Sequence, residues 1–374
     1  MQVNIIRGAV EIILQNAGEA YFVGGCVRDY FLTRPQDKNL EDFVNYLCKN
    51  NKDVDIATNL HPEVINKIFT ENGFFAKTTI VTNVVVKSKT KLEITTLRMD
   101  INPNGRWTQT QFATTIEEDA QRRDFTINAI YLQPNFATNT YIIHDFYNGL
   151  ADLQNKQVKF IGDATQRIRE DYLRMLRFFR FSCRFSTTFN ENGLNACINL
   201  SQSYKNACMP NQDGIILLAK ERVRDEIFKI LSHHNYPMFL HCFAKAALCE
   251  SLCETFFGIA PSQFAAKTEQ ILHYNLQNPF FIFLSLAGTQ QNIILLTKRE
   301  QALLSIINTE LKLAFTNAVE GNLLIRLSAV YAGHNQANSQ NLTKAELLEA
   351  VFCYFVVNNI QPFTKHLILD IINT

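Results

Sequence analysis

The stretch Asp53-Val54-Asp55-Ile56-Ala57-Thr58 places two carboxylates one residue apart in a short run of apolar residues. Because side chains of a β-strand alternate between faces, we expect Asp53 and Asp55 on one face and Val54 and Ile56 in a core. Oxygen ligands at this spacing suit Mg²⁺, which proteins often hold with one or two carboxylates and the phosphates of a substrate. An exposed strand with two solvated acids is the simpler explanation of such a pair when it stands alone.

A second candidate is a pair of glycines at the end of the apolar strand Ala20-Tyr21-Phe22-Val23. Gly24 and Gly25 allow the backbone to approach a ligand closely, and Arg28 falls in the first turn of the helix that we expect next. This arrangement favours a phosphate ligand. A tight turn before a helix also needs glycine for steric reasons alone, so the motif is weak by itself.

Composition bounds the class of protein. The chain has 374 residues, 47% hydrophobic and 19% charged, which indicates an ordinary globular protein with room for two or three domains. The net charge of +1 excludes a general basic field, so nucleic-acid binding would require local Arg and Lys clusters. Its nine cysteines are scattered, which favours free thiols in a reducing cytoplasm.

The sequence also bears on location. Residues 1–18 show a helical apolar period without the charged start, apolar run and cleavage site of a signal peptide. No run of about 18 consecutive apolar residues occurs, so we expect no membrane span. We therefore predict a cytoplasmic protein.

Apolar periodicity indicates the elements that position these residues. We predict helices over 3–17 and 61–70, and a polar excursion over 35–52. The predicted strands cover 20–23, Thr78 to Val86, Lys91 to Leu97, 125–132 and 140–146, with a mobile loop over 98–109. From Ala164 onward the pattern is helical, with breaks near 211–214, Pro237, Pro261, Pro279 and 333–342.

These elements predict an α+β fold: an N-terminal head with a mixed β-sheet and helices, followed by an all-α neck, body and tail. We place the head at residues 1–150, the neck at 151–235, and the body with a short tail at 236–374. No repeat of fixed period is evident, so a solenoid is not expected.

Two arginine-rich stretches remain. The first is Arg122-Arg123-Asp124-Phe125-Thr126-Ile127-Asn128-Ala129. The second is Arg169-Glu170-Asp171-Tyr172-Leu173-Arg174. Asp171 and Arg174 are expected as i,i+3 neighbours on one helix, which would place an acceptor and a donor side by side. Arginines continue on that helix at 177, 180 and 184, an unbalanced charge set that favours phosphate binding over a solvated face.

Five stretches resemble the motifs of one family and follow in the same order. They are Gly24 to Asp29, Asp53 to Asp55, Arg122 to Ala129, Arg169 to Arg174, and Glu221-Arg222-Val223-Arg224-Asp225-Glu226. The family is the class II tRNA nucleotidyltransferases, which add CCA to tRNA 3′ ends, with the related bacterial poly(A) polymerases. The resemblance covers about residues 20–232, and phrases such as Ile161-Gly162-Asp163-Ala164 look most like alphaproteobacterial CCA-adding enzymes.

The resemblance implies a role for each matching residue. Asp53 and Asp55 match the catalytic carboxylates that bind two Mg²⁺ ions, and Glu93 is a possible third carboxylate. The matching nucleotide-binding positions are Gly24, Gly25, Arg28, Arg123, Asp124, Asn128, Asp171, Arg174, Arg177 and Arg180. The stretch 221–226 would brace the base-reading helix, and Asp145 to Gly149 would form the hinge between head and neck.

For Asp171 and Arg174 the resemblance implies selection of the base. Cytosine and adenine both present an amino donor beside a ring-nitrogen acceptor, whereas uracil and guanine present a carbonyl in place of the amino group. An Asp-Arg pair therefore accepts C and A and rejects U and G, since the wrong base leaves buried polar groups unpaired.

The implied function is untemplated addition of C, C and A to the tRNA 3′ end from CTP and ATP. Poly(A) polymerase and CC-only or A-only addition stay open as alternatives, as does a catalytically silent RNA-binding protein. The loop at 98–109 resembles the flexible loop of full CCA-adding members, and the chain ends at Thr374 without the long basic extension usual in poly(A) polymerases.

Two stretches depart from the family pattern. The connection from Asp29 to Asp53 is longer than usual by about ten residues, which predicts disorder or a partner contact. Residues 240–374 match loosely and are short for a complete tail, so the grip on the tRNA elbow is open. His144-Asp145 could indicate a metal phosphohydrolase, but without further ligands we interpret it as a strand end.

Overall fold

The fold is described from a computed structural model. The described residues are 2–34, 39–50, 53–80, 83–87, 91–101, 109–207, 218–245, 259–274, 276–287 and 350–353. The chain forms two compact units: unit 1 is Met1–Arg174 with Phe185–Ala196, and unit 2 is Met175–Arg184 with Cys197–Thr374. This is a different division from the three predicted segments, whose boundaries stay predictions. The predicted α+β class is confirmed.

Unit 1 combines helices and strands. Its helices are α1 (Gln2–Gln15), α2 (Gly25–Thr33), α3 (Leu40–Lys49), α4 (Pro62–Glu71), α5 (Ile116–Gln121), α6 (Gly149–Gln154), α7 (Ala164–Glu170) and most of α9 (Glu191–Asn199). Its strands are β1 (Tyr21–Val23), β2 (Val54–Thr58), β3 (Phe75–Ile80), β4 (Asn83–Lys87), β5 (Leu92–Thr96), β6 (Arg98–Ile101), β7 (Gln109–Phe112), β8 (Tyr131–Asn135) and β9 (Thr140–His144).

Seven of these strands form one mixed sheet in the order β3-β4-β5-β2-β1-β8-β9. Only β2 and β5 pair in parallel within it, and the other neighbours are antiparallel. A parallel pair needs a crossover connection, which α4 and the β3-β4 hairpin provide here. The strands β6 and β7 form a separate two-stranded sheet.

The central sheet has two different faces because its side chains alternate. Val54, Ile56 and Ile94 are buried on the face where α4 packs on β3, β4 and β5. The other face carries Asp55 and Glu93 together with a buried apolar cluster that includes Tyr21, Val23, Ala57 and Tyr131. The acidic residues therefore lie on the face that the helix α4 leaves open.

Local signals explain where the helices begin. Helix α1 buries Ile6, Ala9, Val10 and Ile13, which lie three or four residues apart on one face. Helix α5 begins with a capping box, in which the Thr115 hydroxyl accepts from the Glu118 backbone N–H and the Glu118 carboxylate accepts from the Thr115 N–H. These caps satisfy backbone donors that the first helical turn leaves unpaired.

Three predictions on the strands were wrong. The run from Thr78 to Val86 was expected as one strand, but β3 and β4 form an antiparallel hairpin with a register shift near Ile80. The predicted loop at 98–109 begins and ends in strands, since Arg98–Ile101 pairs with Gln109–Phe112. Residues 102–108 lie outside the described residues. The predicted strand at 125–132 is instead a 3₁₀ turn, Thr126–Asn128, followed by β8.

The polar excursion at 35–52 contains a helix that was not predicted. Helix α3 buries Leu40, Phe43, Val44 and Leu47, and the Phe43 ring lies 5.1 Å from that of Phe22 in β1. The expectation of disorder is therefore wrong for the described part of this segment, and the alternative of a partner contact stays a prediction. Residues 35–38 and 51–52 lie outside the described residues.

Unit 2 is helical in its described part. It contains Met175–Arg184 of α8 (Leu173–Phe185), then α10 (Ser201–Ala207), α11 (Lys220–Leu231), α12 (Tyr236–Lys245) and helices over Pro261–Tyr274 and Pro279–Ala287. Pro261 and Pro279 begin their helices, as expected of a residue that lacks an N–H. The breaks predicted at 211–214 and 333–342 lie outside the described residues.

Two properties of the described residues concern membrane insertion and the state of the cysteines. None of the described helices has the length and apolar character needed to cross a membrane. Six of the nine cysteines lie in the described ranges as free thiols, among them the buried Cys26, Cys183 and Cys197.

The cap of α3 provides a test of this unpredicted helix. The Asn39 side chain accepts from the backbone N–H groups of Glu41 and Asp42, at 2.9 and 3.4 Å. We expect Asn39→Ala to lower the free energy of unfolding by about 0.5–1 kcal/mol, because the first turn loses an acceptor. Asn39→Ser, which keeps an acceptor, should lie close to the wild type in urea unfolding. Equal losses in both variants would contradict the cap.

Candidate active site

Three carboxylates meet at the neighbouring ends of β2 and β5. Asp55 and Glu93 are directly opposite in the parallel register of these strands, so their side chains point to the same face. Asp53 lies two residues before Asp55, just outside the strand. Its side chain is 64% exposed and that of Glu93 is 31% exposed, and Asp55 is half-buried. The structure thus brings together all three residues predicted to be catalytic.

The electrostatics of this cluster favour a bound cation. Burial raises the pKa of Asp55 to about 6, and the nearby negative charges of Glu93 and Asp53 act in the same direction. Arg123 and Lys91 lower the pKa and partly offset this effect. A cation placed between these carboxylates would therefore reduce the repulsion among Asp53, Asp55 and Glu93.

The donor set fits Mg²⁺ only with further ligands. No group of three His, Cys, Asp or Glu side chains in the described ranges is arranged to hold a metal ion. Mg²⁺ in proteins is usually bound by one or two carboxylates, and water and substrate phosphates fill its other coordination positions. An aspartate pair at the end of a strand agrees with this arrangement. Asp53 and Asp55 are thus suited to share an ion with a phosphorylated ligand.

The glycine turn lies against this cluster. Gly24 has a φ of 75°, a conformation that L side chains rarely adopt, and precedes the first residue of α2. A Cβ added at Gly24 would lie 3.4 Å from Asp55 Oδ2 and 3.7 Å from Arg123 Nη1. The Gly24 backbone therefore runs between a carboxylate and a guanidinium at the N-terminus of α2, which is a favourable place for a phosphate.

Arg28 is buried and hydrogen-bonded to neighbouring side chains. Its side chain is 5% exposed, and its Nε and Nη2 donate to Asp29 Oδ1 at 3.0 and 2.8 Å. Its Nη1 donates to Asn128 Oδ1 at 2.6 Å, and Asn128 Nδ2 donates to Asp124 Oδ1 at 3.0 Å. The predicted nucleotide-binding residues Arg28, Asn128 and Asp124 thus form one hydrogen-bonded chain.

Arg123 is oriented by two residues that the sequence analysis missed. Its Nε donates to the Tyr131 hydroxyl at 2.8 Å, and its Nη2 lies 3.1 Å from Asp119 Oδ2. Asp119 is 1% exposed and also accepts from Arg122 and, at 2.5 Å, from the Tyr131 hydroxyl. The i,i+4 spacing of Asp119 and Arg123 was the available signal, but it is common on solvated helices.

The charge state of Asp119 follows from these contacts. Burial alone would raise its pKa, but the guanidinium groups of Arg123 and Arg122 outweigh burial and hold the pKa at about 2. Burial raises the pKa of Tyr131, so its phenol stays protonated and donates to Asp119. Arg123 is therefore fixed by an ionised carboxylate and a neutral phenol.

A second ion-pair network joins the stretch 122–129 to α7 and to the start of α8. The Glu170 carboxylate pairs with both Arg167 and Arg174, the latter at 2.5 Å. Arg174 donates to the carbonyl oxygens of Arg167 and Arg122, at 2.9 and 3.2 Å, and Arg167 to that of Arg123 at 2.7 Å. Arg174 is thus positioned by Glu170 and by the backbone of the stretch that contains Arg123.

The helical placement of Asp171 was wrong. Its backbone is extended, with φ −150° and ψ 106°, between the end of α7 and the start of α8. Its Oδ1 accepts from the Leu173 N–H at 3.0 Å, and its carbonyl accepts from the Arg174 N–H at 2.9 Å. Asp171 therefore caps α8, and the Asp171–Arg174 spacing is that of a helix cap and its first turn.

Arg177 and Arg180 belong to unit 2. The guanidinium carbon of Arg177 lies 5.2 Å from the centre of the Phe181 ring, and that of Arg180 lies 4.2 Å from it. Arg180 Nε also lies 2.5 Å from Glu226 Oε2, whose side chain is 5% exposed. Within unit 2, the stretch at 221–226 thus anchors α8 through an enclosed ion pair.

The His144-Asp145 pair has local structural partners. Strand β9 ends at His144, whose Nε2 lies 3.0 Å from Gln133 Oε1. The Asp145 carboxylate accepts from the N–H groups of Gly149 and Leu150, at 2.7 and 2.9 Å. Asp145 thus caps α6, and the interpretation of this pair as a strand end is confirmed.

Comparisons with known proteins find similar sequences over part of the chain. Residues 20–159 match a family described as the Poly A polymerase head domain. The mitochondrial CCA tRNA nucleotidyltransferase 1 of Mus musculus is 31% identical over 245 residues, 63% of this chain and 49% of that protein. The CCA-adding enzyme of Listeria innocua serovar 6a is 40% identical over 173 residues, 45% of this chain and 38% of that protein.

Solved structures extend the likeness in fold. An apo CCA-adding enzyme superposes with a TM-score of 0.66 at 18% identity, covering 94% of this chain and 79% of that one. A tRNA nucleotidyltransferase with a primer tRNA and an ATP analogue has a TM-score of 0.64 at 19% identity, covering 97% of both chains. By sequence, the chain spans about half the length, or less, of the curated relatives it matches. The likeness to alphaproteobacterial enzymes stays a prediction.

The Asp119 network predicts a large and specific loss of stability. Asp119→Asn should lower the free energy of unfolding by about 3–5 kcal/mol, because buried arginines lose their ionised partner. Tyr131→Phe removes one hydrogen bond and should cost about 1–2 kcal/mol. Because the pKa of Asp119 is depressed to about 2, its contribution is present above the unfolded pKa of roughly 4 and disappears as the pH falls towards 2.

Urea unfolding measures these differences. Glu11→Gln on α1 is the control, since its pair with Arg7 is exposed and should be worth less than about 1 kcal/mol. A loss at Asp119 no larger than that at Glu11 would contradict the network. At pH 2 the difference between Asp119→Asn and the wild type should be much smaller than at pH 7.

Proposed function

We propose that this chain is a member of the family of CCA-adding and poly(A)-adding nucleotidyltransferases, to which residues 20–159 and the curated relatives are similar, and that it adds C, C and A to the 3′ end of tRNA from CTP and ATP. The observation that carries the proposal is the register of Asp55 and Glu93, with Asp53 beside them. Asp55 lies against the Gly24 turn, as does Arg123, so the proposed metal-binding edge and the proposed phosphate-binding turn share one site.

Asp53 and Asp55 would hold the Mg²⁺ ions, which when bound lower the pKa of the attacking 3′-hydroxyl and neutralise charge on the α-phosphate. Glu93 adds negative charge from the adjacent strand and strengthens the attraction for a cation. The enclosed position of Asp55 limits competition from water. The two aspartates thus differ in role: Asp55 is the fixed ligand and Asp53 the exposed one.

The triphosphate and ribose would lie at the Gly24 turn. Gly24 and Gly25 present backbone at the start of α2, and Arg123 is held beside them by Asp119 and Tyr131. A chain of hydrogen bonds through Arg28, Asn128 and Asp124 supports this part of the proposed site. A donor and an acceptor near the 2′-hydroxyl are what separates a ribonucleotide from a deoxyribonucleotide.

Base choice is assigned to Asp171 and Arg174 in this proposal. The carboxylate of Asp171 accepts from an amino group, as found on cytosine and adenine, and the guanidinium of Arg174 donates to the adjacent ring nitrogen. Glu170 and the Arg122 carbonyl fix the orientation of Arg174 before a nucleotide binds. Arg177 and Arg180 are assigned to the nucleotide as well, with Glu226 fixing Arg180.

Poly(A) addition and CC-only or A-only addition are the alternative activities on this scaffold. The paired strands β6 and β7 begin and end the 98–109 segment. This segment resembles the flexible loop of full CCA-adding members, and that resemblance favours full CCA addition. The third alternative, an RNA-binding protein without catalysis, is disfavoured by the three carboxylates at one strand edge.

Nucleotide-by-nucleotide extension of tRNA tests the proposal. Transcripts ending at the discriminator base and at CC are incubated with each NTP alone and in pairs, and products are resolved to one nucleotide. We expect addition of CC from CTP, then one A from ATP. Asp55→Ala should reduce incorporation at least about 100-fold, since several kcal/mol of transition-state stabilisation depend on the metal. Asp42→Ala on α3 is the exposed-acid control.

Each other outcome has a clear meaning. Runaway A addition would assign poly(A) polymerase, and a stop after CC would assign a CC-adding enzyme. Wild-type protein that binds tRNA without extending it would overturn the enzymatic proposal. Asp55→Ala should keep its affinity for tRNA, which gel-shift titration measures.

Base selection gives a separate prediction. Asp171→Asn keeps a side-chain oxygen that accepts from the Leu173 N–H, so the cap of α8 is preserved. The amide also carries N–H donors, which suit the carbonyl groups of uracil and guanine. We expect the preference for CTP over UTP in kcat/KM to fall roughly 10- to 100-fold, the value of one good base contact. Unchanged preference would remove Asp171 from base recognition.

A further inference from the structure

Lys91 lies inside the cluster of carboxylates, although no motif of the sequence includes it. It immediately precedes β5, and because side chains alternate, it shares a face with Glu93. Its carbonyl accepts from the Val54 N–H at 3.0 Å, which fixes the backbone of Lys91 beside the start of β2. The base of the side chain is thus anchored next to Asp53.

The Lys91 ammonium contacts two of the three carboxylates. Its Nζ lies 2.5 Å from Glu93 Oε1 and 3.5 Å from Asp53 Oδ2. A lysine amine is charged at neutral pH. The Lys91 ammonium therefore offsets part of the negative charge at the edge where the metal is proposed to bind.

We propose that Lys91 is an internal counter-ion that occupies these carboxylates in the absence of a divalent cation and competes with that cation for them. This inference rests on the proposed function to the extent that Asp53 is a metal ligand. It assigns Lys91 a regulatory part in metal loading and no part in the chemistry.

Competition follows from the properties of the two cations. An ammonium group has three donors and no acceptor, so it cannot join a metal's ligand shell while protonated. A carboxylate oxygen that accepts from Lys91 at 2.5 Å is directed towards Nζ, and two cations on the same oxygens repel each other. Binding of Mg²⁺ through Asp53 therefore requires Nζ to move away.

The exchange is feasible because the pair is open to water. The Lys91 side chain is 47% exposed, and ion pairs at such exposure are worth about 0–1 kcal/mol each. A flexible four-carbon stem lets the ammonium leave without a change of fold. Two such contacts lower the apparent metal affinity by a modest factor, roughly two- to tenfold.

Titration of the full chain with MnCl₂ alone, without nucleotide, tests the competition. Free Mn²⁺ is followed by its EPR signal, so the measurement does not depend on catalysis. We expect Lys91→Met to bind Mn²⁺ roughly two- to tenfold more tightly than the wild type. Lys91→Arg, which keeps the charge, should stay within about twofold of the wild type. Lys67→Met is the control for net charge, since Lys67 is an exposed lysine on α4.

Asp55→Ala identifies the ion that is measured. Loss of the Mn²⁺ site in this variant places the bound ion at the carboxylates, and unchanged binding would overturn the inference together with the metal site. Equal affinity in Lys91→Met and the wild type, with the site lost in Asp55→Ala, would overturn the role of Lys91 alone. Tighter binding in Lys91→Met would stand even if no tRNA extension were observed.

Thermal unfolding gives an independent readout. Without its counter-ion, Lys91→Met leaves three carboxylates in mutual repulsion, so its Tm without divalent cations should be lower than that of Lys67→Met. Added MgCl₂ should raise the Tm of Lys91→Met more than that of the wild type, because at a given ligand concentration the folded state is stabilised more by the ligand that binds more tightly. Equal Mg²⁺-dependent shifts would contradict the proposal.

Discussion

The site in unit 1 depends on the contacts of one buried carboxylate, that of Asp119. A charge removed from water is costly unless it is paired and hydrogen-bonded, and Asp119 has both arginine partners and a phenol donor. It lies on α5, whose start is fixed by the Thr115 capping box. Tyr131 lies on β8 in the central sheet. One acid thus connects a short helix, the sheet and Arg123, so Arg123 cannot move without losing its bonds to Asp119 and Tyr131.

The same kind of pairing connects Arg122 and Arg123 to the helices that follow them in unit 1. The backbone of Arg122 and Arg123 accepts hydrogen bonds from Arg167 and Arg174, and Glu170 pairs with both of these arginines. Burial lowers the pKa of Arg167 to about 10, with the nearby charge of Arg174 acting in the same direction. The group still carries its charge at neutral pH. The stretch that contains Arg122 and Arg123 is therefore connected to the start of α8 by one set of hydrogen bonds.

Much of this could be predicted from the sequence, because it depends on local periodicity. Alternation in a strand placed Asp55 on the opposite face from Val54, and the resemblance identified Glu93. Pairing partners could not be predicted, which is why the β3-β4 hairpin and the strands around residues 98–109 were missed. Asp171 was assigned to a helix because the helical pattern runs through it, whereas its side chain caps α8. Asp119 was missed because an acid near arginines is usually solvated, and only tertiary packing buries it.

The paired arginines and Lys91 show how the identity of the partner decides the effect of an ion pair. Arg28, Arg123 and Arg174 are held by Asp29, Asp119 and Glu170, none of which is assigned to the metal. Such pairs orient a guanidinium before a ligand arrives and so reduce the entropy lost on binding. Lys91 instead pairs with Asp53, a proposed metal ligand, and with Glu93 beside it. In the proposed function, the ion pairs of the arginines prepare the site, whereas those of Lys91 must break before a metal ion binds.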